Sequence, residues 1–210
     1  MGWSSSKTSS GGGGGGSVNS VTGLNTDNTD PTNPIVQVSV DNDTILGAGT
    51  PLSPLSTNTL LGSFNSTIIQ NLATANVGQK IQMENTIESD GITIVGLQND
   101  GIRYANAGIY QLNFSIQFNH NSVSSINSAY VWLNYNGLNI PNTTREIIVE
   151  PNNPFVVLGF SYIINILTDL DTIHIVWTAD STDVELYFAS APILSAYTDI
   201  PSIIVNSFRI

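Results

Sequence analysis

Cysteine is absent from the 210 residues, so the chain can form no disulfide, no thiolate metal site and no cysteine nucleophile. Charge is scarce as well. Charged residues make up 10% of the chain, against about 25% in a typical soluble domain. Basic residues are scarcer still: 5 Lys and Arg stand against 16 Asp and Glu, for a net charge of −11. Those five are Lys7, Lys80, Arg103, Arg145 and Arg209, and they form no cluster. A protein that binds a phosphate backbone displaces counterions with grouped Lys and Arg. Nucleic acid and anionic membrane surfaces are therefore excluded as expected partners. Long apolar runs are missing too. The longest, Phe155–Leu167, is interrupted by Gly159, Ser161 and Asn165 and is too short to cross a bilayer as a helix. Met1 to Ser10 lacks the apolar core of a secretory signal, so secretion is not expected.

Catalytic signatures are absent in the same way. There is no G-x-S-x-G elbow, no Walker loop and no H-E-x-x-H. His120 and His174 are the only histidines, and His174 alternates with Ile173 and Ile175, which reads as a solvated strand position. Two carboxylate pairs, Asp169/Asp171 and Asp180/Asp183, could in principle cleave glycans. They sit in turn-like sequence, where Asp serves backbone hydrogen bonds. No enzymatic activity and no cofactor are expected. Calcium is the one exception weighed: Asp41-Asn42-Asp43 and Asp27-Asn28-Thr29-Asp30 offer hard oxygen ligands but lack the glycine and closing glutamate of an EF-hand loop.

What the chain has instead is asparagine, 24 copies, with abundant Ser and Thr. These side chains compete for backbone hydrogen bonds, so they favour turns and sheet surfaces over helix interiors. The chain then divides by composition. Residues 1–17, MGWSSSKTSSGGGGGGS, read as a flexible attachment segment that cannot bury enough surface to order itself. Its six glycines, from Gly11 to Gly16, could thread a groove in a partner, with Trp3 and Lys7 as an aromatic and a charged anchor. Residues 18–60 read as a short β module: Ile35 to Val40 alternates, Thr44-Ile45-Leu46 follows, and Pro and Gly turn signals bracket both.

Residues 61–210 carry the densest strand pattern. In Ile109–Phe118, Tyr110, Leu112, Phe114, Ile116 and Phe118 face one way, and Gln111, Asn113, Ser115 and Gln117 the other. Further strands are expected around Gly62–Leu72, Gln79–Asn85, Ile92–Val95, Gly101–Tyr104, Ala129–Tyr135, Glu146–Val149, Pro154–Leu167, Thr172–Thr178, Val184–Ala189 and Ser202–Ile210. Asn136-Gly137 is a hairpin dipeptide. So many short strands without a helical period predict an all-β fold, a two-sheet jelly roll. Phe155–Leu167 is apolar on both faces, whereas a sandwich strand normally wets one. Its second face is expected to meet another subunit.

The segments DGITIVGLQNDGIRYANAGIYQLNFSIQF, SAYVWLNYNGLNIPNT, VLGFSYIINILTDLDTIHIVWTAD and DIPSIIVNSFRI together resemble a domain of bacteriophage structural proteins, one similar to C1q/TNF-like jelly-roll heads. The stretch VQVSVDNDTILGAGTPLSPL is similar to a short module that precedes such heads in phage fibres. The resemblance implies a trimeric fibre or decoration protein on a virion surface, at capsid, collar or tail. Its N-terminal segment would contact another virion protein, and its head would project outward to a host-surface glycan or protein. Two alternatives belong to other classes: a secreted C1q/TNF-like receptor- or glycan-binding module, and a particle-bound glycan depolymerase. Under the main reading Trp3, Lys7, Gly11 and Gly16 are anchor candidates. Phe114, Tyr162, Tyr187 and Phe208 are candidates for the trimer interface. The target is expected at loops farthest from the N-terminus, Asn119–Asn127, Leu138–Arg145 and Ser190–Asp199, with Asn119, Asn121, Asn142 and Tyr197 as candidate contacts.

Overall fold

The computed structural model describes residues 60–122, 125–151, 155–193 and 196–210, with four short strands nearer the N-terminus. The chain divides into two compact units, Met1–Asn58 and Thr59–Ile210. In the first, β1 (Asn25–Asp27) pairs antiparallel with β2 (Ile35–Gln37), and β3 (Ile45–Leu46) with β4 (Ser56–Thr57). The anchor candidates Trp3, Lys7, Gly11 and Gly16 lie outside the described residues, as do Asn28 to Asp30 and Asp41-Asn42-Asp43.

The second unit holds fourteen strands in two antiparallel sheets, and its described residues contain no helix. They are β5 (Leu61–Ser66), β6 (Gln70–Asn71), β7 (Gln79–Lys80), β8 (Asn85–Asp90), β9 (Ile92–Val95), β10 (Gly101–Tyr104), β11 (Gly108–His120), β12 (Asn127–Tyr135), β13 (Leu138–Asn139), β14 (Arg145–Val149), β15 (Val156–Ile166), β16 (Thr172–Ala179), β17 (Val184–Leu186) and β18 (Ile203–Arg209). The first sheet runs β15-β11-β18-β5-β8, with β17 and β6 continuing beside the end of β11. The second runs β12-β16-β10-β9, with β13 and β14 flanking β12 and β7 beside β16. The chain crosses between sheets from β6 to β7, β7 to β8, β8 to β9, β10 to β11, β11 to β12, β14 to β15, β15 to β16 and β16 to β17. Apart from β9–β10 and β12–β13, sheet neighbours are therefore not consecutive in sequence, in keeping with the jelly roll that the strand pattern predicts.

Strand β11 shows why these residues take this form. Its even positions are buried and its odd ones half-covered from Tyr110 to Phe118, as period-two alternation dictates. The core between the sheets gathers Phe64, Ile81, Met83, Ile92, Ile102, Tyr104, Leu112, Phe118, Leu133, Ile175, Trp177 and Val205. One polar tie crosses it: the Tyr104 hydroxyl meets Ser207 Oγ at 3.0 Å, and Ser207 donates onward to the Gln111 carbonyl at 3.1 Å. Burial holds the Tyr104 phenol well above its ordinary pKa, so it stays a donor. At the β12–β13 turn Asn136 and Gly137 both take positive φ, 48° and 91°, the two-residue turn that matches strand twist.

Two strand readings need correction. Asn85–Asp90 was not expected as a separate strand, yet it forms the edge strand β8, and all but its first residue are exposed. Of Gln79–Asn85, only Gln79–Lys80 is strand before β8 begins, although Ile81 and Met83 are fully buried. An edge strand with no covered face carries no hydrophobic period to read.

The core makes a direct forecast. Ile116 is fully buried and Ile87 is 62% exposed. Ile116→Ala should cost about 2–5 kcal/mol in urea denaturation, while Ile87→Ala should stay within about 0.5 kcal/mol.

Candidate functional site

Strand β15 lies at the edge of its sheet and pairs along its full length with β11, Val156 against Phe118 through Ile166 against Gly108. No described strand pairs with its other side. Its inward face is covered only at one end: Ile164 and Ile166 are buried, while Val156, Leu158, Phe160 and Tyr162 are half-buried. Its outward face and its flank expose Phe155, Val157, Ile163 and Leu167 at 55%, 62%, 71% and 70%. The strand is two-sided, as its sequence implied.

The register extends this outer face across the sheet. One row reads Ile163, Gln111, Phe208, Leu61; the next Ser161, Asn113, Asn206, Ser63; the next Gly159, Ser115, Ile204, Asn65. None of these side chains is charged. Glu88 and Asp90 enter only on β8, at the far edge. The polar members bond among themselves: Gln111 Nε2 donates to Asn113 Oδ1 and to Ser161 Oγ, each at 3.1 Å, and Ser63 Oγ donates to Asn206 Oδ1 at 2.8 Å. Gly159 stands in the middle. A Cβ placed there would meet nothing within 4 Å, so no neighbour in its own chain requires a glycine. A glycine inside a strand often marks the close approach of another backbone.

The interface candidates separate on this geometry. Phe208 stands on the outer face and Tyr162 at the open edge, where its hydroxyl donates to the Thr143 carbonyl at 2.5 Å. Tyr187 is half-buried against Phe155, ring centroids 5.0 Å apart. Phe114 is different. It is an inward core residue, 5.9 Å from Phe160, because even positions of β11 face the second sheet.

The target-loop candidates also separate. Of the candidate loops Asn119–Asn127 and Ser190–Asp199, the described residues 119–122, 125–127, 190–193 and 196–199 lie at the end of the sandwich opposite Leu60, since Leu60 sits beside Arg209 and β11 runs from there to His120. Leu138–Arg145 does not join them. Ile140 N donates to the Leu133 carbonyl and Leu133 N to Thr143 Oγ1, so this loop folds along the flank beside β12 and carries Asn142 with it. Asn119 is buried rather than offered to a target. Its amide donates to Glu185 Oε1 at 2.7 Å, and Asn121 donates to Glu185 Oε2 at 2.7 Å, so two neutral amides solvate one buried carboxylate. Tyr197 is 59% exposed. His120 is enclosed too: Ser122 N donates to its Nδ1 at 3.0 Å, which places the acceptor on that nitrogen.

Two aspartates read from sequence as turn formers bond to backbone far along the chain instead. Asp169 accepts from Ala107 N at 2.7 Å and Asp180 from Ser128 N at 3.0 Å. His174 is more occupied than a solvated histidine: its Nδ1 lies 2.8 Å from the Asp100 carbonyl and its Nε2 3.4 Å from Lys80 Nζ. The sequence reading missed two features, the Glu185 clamp and the stacking of Arg145 on Phe160 and Tyr162. Both join residues whose proximity depends on register.

No family model and no curated protein matches the chain. Crystal structures of murine APRIL at pH 8.5 and pH 5.0 resemble it at TM-scores of 0.45 and 0.44 and at 13% and 15% identity. Each match covers 72% of this chain and 99% of the other. The likeness lies in the arrangement of strands, and no activity or partner follows from it.

Asp171 ties two turns together. It accepts from the Tyr135 hydroxyl, from Asn136 Nδ2 at 2.7 Å and from Thr168 N at 2.8 Å. The Tyr135 and then the Asn136 hydrogen bonds hold its carboxyl below the ordinary 3.8. A depressed carboxylate stabilises the fold above its unfolded value and loses that contribution as pH falls through the folded one. Asp171→Asn should therefore melt earlier than the parent at neutral pH, and the gap should close as the pH drops below about 4. A gap that does not change with pH would count against the charge as its source.

Proposed function

We propose that this chain is a non-enzymatic virion structural protein, a homotrimeric fibre or decoration whose N-terminal segment docks on another virion protein. Its jelly-roll head faces outward and binds a host-surface glycan or protein. One observation carries the reading: the uncharged outer face of the β15-β11-β18-β5 sheet, continuous with an edge strand apolar on both sides. A chain of net charge −11 repels its own copies wherever acids face each other, so self-association needs a neutral face. This face supplies one, with Gly159 leaving room for a partner's backbone. A ring of three closes because the edge of one copy meets a different surface, the face, of the next. The phage-like residue pattern of the head and of the module before it supports placement on a particle. The same fold would serve a secreted C1q/TNF-like binding module, and finding the protein on purified particles or away from them separates the two.

The assembly is tested by light scattering at micromolar concentration, where a mass three times the 22.4 kDa of one chain is expected. Val157→Asp with Ile163→Asp should yield monomers whose circular dichroism is unchanged, because both side chains already point away from the core. A parent protein that is monomeric sinks the assembly reading. The tether is tested separately. Deleting residues 1–17 should leave the head folded and oligomeric but remove it from particles. Normal incorporation of the truncated chain would place the anchor elsewhere. At the far end, Tyr197→Ala should weaken binding of the head to host cells; unchanged binding and infectivity would leave decoration as the role.

A further inference from the structure

A cavity of about 450 Å³ opens on the flank of the sandwich, between the end of β15 and the Leu138–Thr143 loop. Its walls include Leu138, Ile140, Tyr162, Ile164, Leu167 and Ile173, and no charged residue lines it. The volume falls within the roughly 300–1,000 Å³ of small-ligand sites. Its polar groups are largely engaged within the protein. The Tyr135 hydroxyl donates to Asp171, Thr143 Oγ1 donates to the Ile140 carbonyl at 2.8 Å, and the Tyr162 hydroxyl to the Thr143 carbonyl. A polar ligand would find few partners here, and a hydrocarbon one would lose little.

Two residues beyond Thr143 the same loop carries a cation. The Arg145 guanidinium carbon lies 5.3 Å from the Phe160 ring centroid and 5.7 Å from that of Tyr162. Its Nη1 donates back to the Thr144 carbonyl at 2.9 Å and to the Asn142 carbonyl at 3.4 Å. Ring stacking and two carbonyls thus hold the group in place, with Nε and Nη2 making no hydrogen bond among the described residues. An acid–base contact joins His174 Nδ1 and Asp100 Oδ1 at 3.8 Å, and no carboxylate among the described residues pairs with Arg145. That is notable in a chain with 16 acids and 5 bases. A fixed guanidinium matches a carboxylate through paired N–H donors. Tyr162 is common to both features, a wall of the cavity and a platform for the cation.

We propose that the cavity and Arg145 form one site for a small apolar carboxylic acid. Its hydrocarbon body lies against Leu138, Ile140 and Ile173, and its carboxylate rests on the guanidinium. The proposal goes beyond the attachment reading and does not rest on it. Calorimetry on the full chain with decanoate, and with 1-decanol as the uncharged control, tests it. Saturable decanoate binding is expected, at least about tenfold tighter than decanol, since charge-assisted hydrogen bonds are lost with the carboxylate. Arg145→Gln should bring decanoate down to the decanol level with an unchanged thermal melt. Leu138→Trp should abolish binding by filling the cavity while leaving Arg145 in place. Absence of saturable binding, equal affinity for the alcohol, or full affinity in Arg145→Gln would overturn the proposal. So would an Arg145→Gln variant that dissociates the oligomer in a chain that binds no decanoate, because the guanidinium would then serve a carboxylate of a second copy.

Discussion

The pairing of β11 with β15 is the constraint on which the rest of the molecule depends. Strand β11 is thirteen residues long and supplies the sheet with partners on both sides, β15 along one edge and β18 and β17 along the other. Its alternation fixes which residues of all three neighbours face the core, because a slip of one residue would invert every side chain. Once β15 is placed outermost, no described strand pairs with its free side. Val156, Leu158, Phe160 and Tyr162 stay half-buried there, so the sheet ends in a partly open aromatic edge.

That consequence explains what the sequence could and could not convey. The alternation of Ile109–Phe118 was legible because one buried face imposes a period of two. The two-faced character of Phe155–Leu167 was legible as an excess of apolar residues over what one covered face requires. The Asn136-Gly137 turn was legible because backbone conformation there is set by the two residues themselves. Strand β8 was not, since its pattern NTIESD answers to a sheet edge and to solvent. The fate of Asn119 was hidden for another reason. Nothing in its neighbourhood of sequence announces Glu185, and only the short register of β11 with β17 brings them face to face. Length and polarity put the loop Leu138–Arg145 with the distal loops, whereas hydrogen bonds to Leu133 lay it along the flank.

The abundance of asparagine takes on a physical meaning in this setting. With few charges available, several polar groups that the fold encloses are paired by neutral amides, and each such group left unpaired costs about 1–3 kcal/mol. Asn119 and Asn121 do this for Glu185, and Asn139 Oδ1 accepts from both Trp132 Nε1 and Asn134 Nδ2. An amide offers both donors and acceptors, so it can close such networks without importing a second charge. The same residues therefore do more than soften loops. They anchor the distal turn at Asn121 to the sheet beneath it.

Scarcity of charge also shapes the surfaces. Net charge keeps acidic copies apart at long range, but the effect fades beyond a Debye length of about 8 Å at physiological salt. At contact distance the local composition decides, and there the outer sheet face presents amides, hydroxyls, a glycine and a few aliphatic and aromatic groups. An interface built of such groups desolvates no ions, which avoids the cost that often cancels the gain from a buried ion pair. Arg145 stands just around the edge from this face, on the flank. If its charge lay on the face itself, every association would have to strip water from an unpaired guanidinium. Held against Phe160 and Tyr162, it keeps part of its surface covered by rings that favour a cation and leaves the face neutral. The separation of a neutral sheet face from a cation on the flank would thus let one edge strand serve the two proposed contacts, each with its own electrostatic requirement.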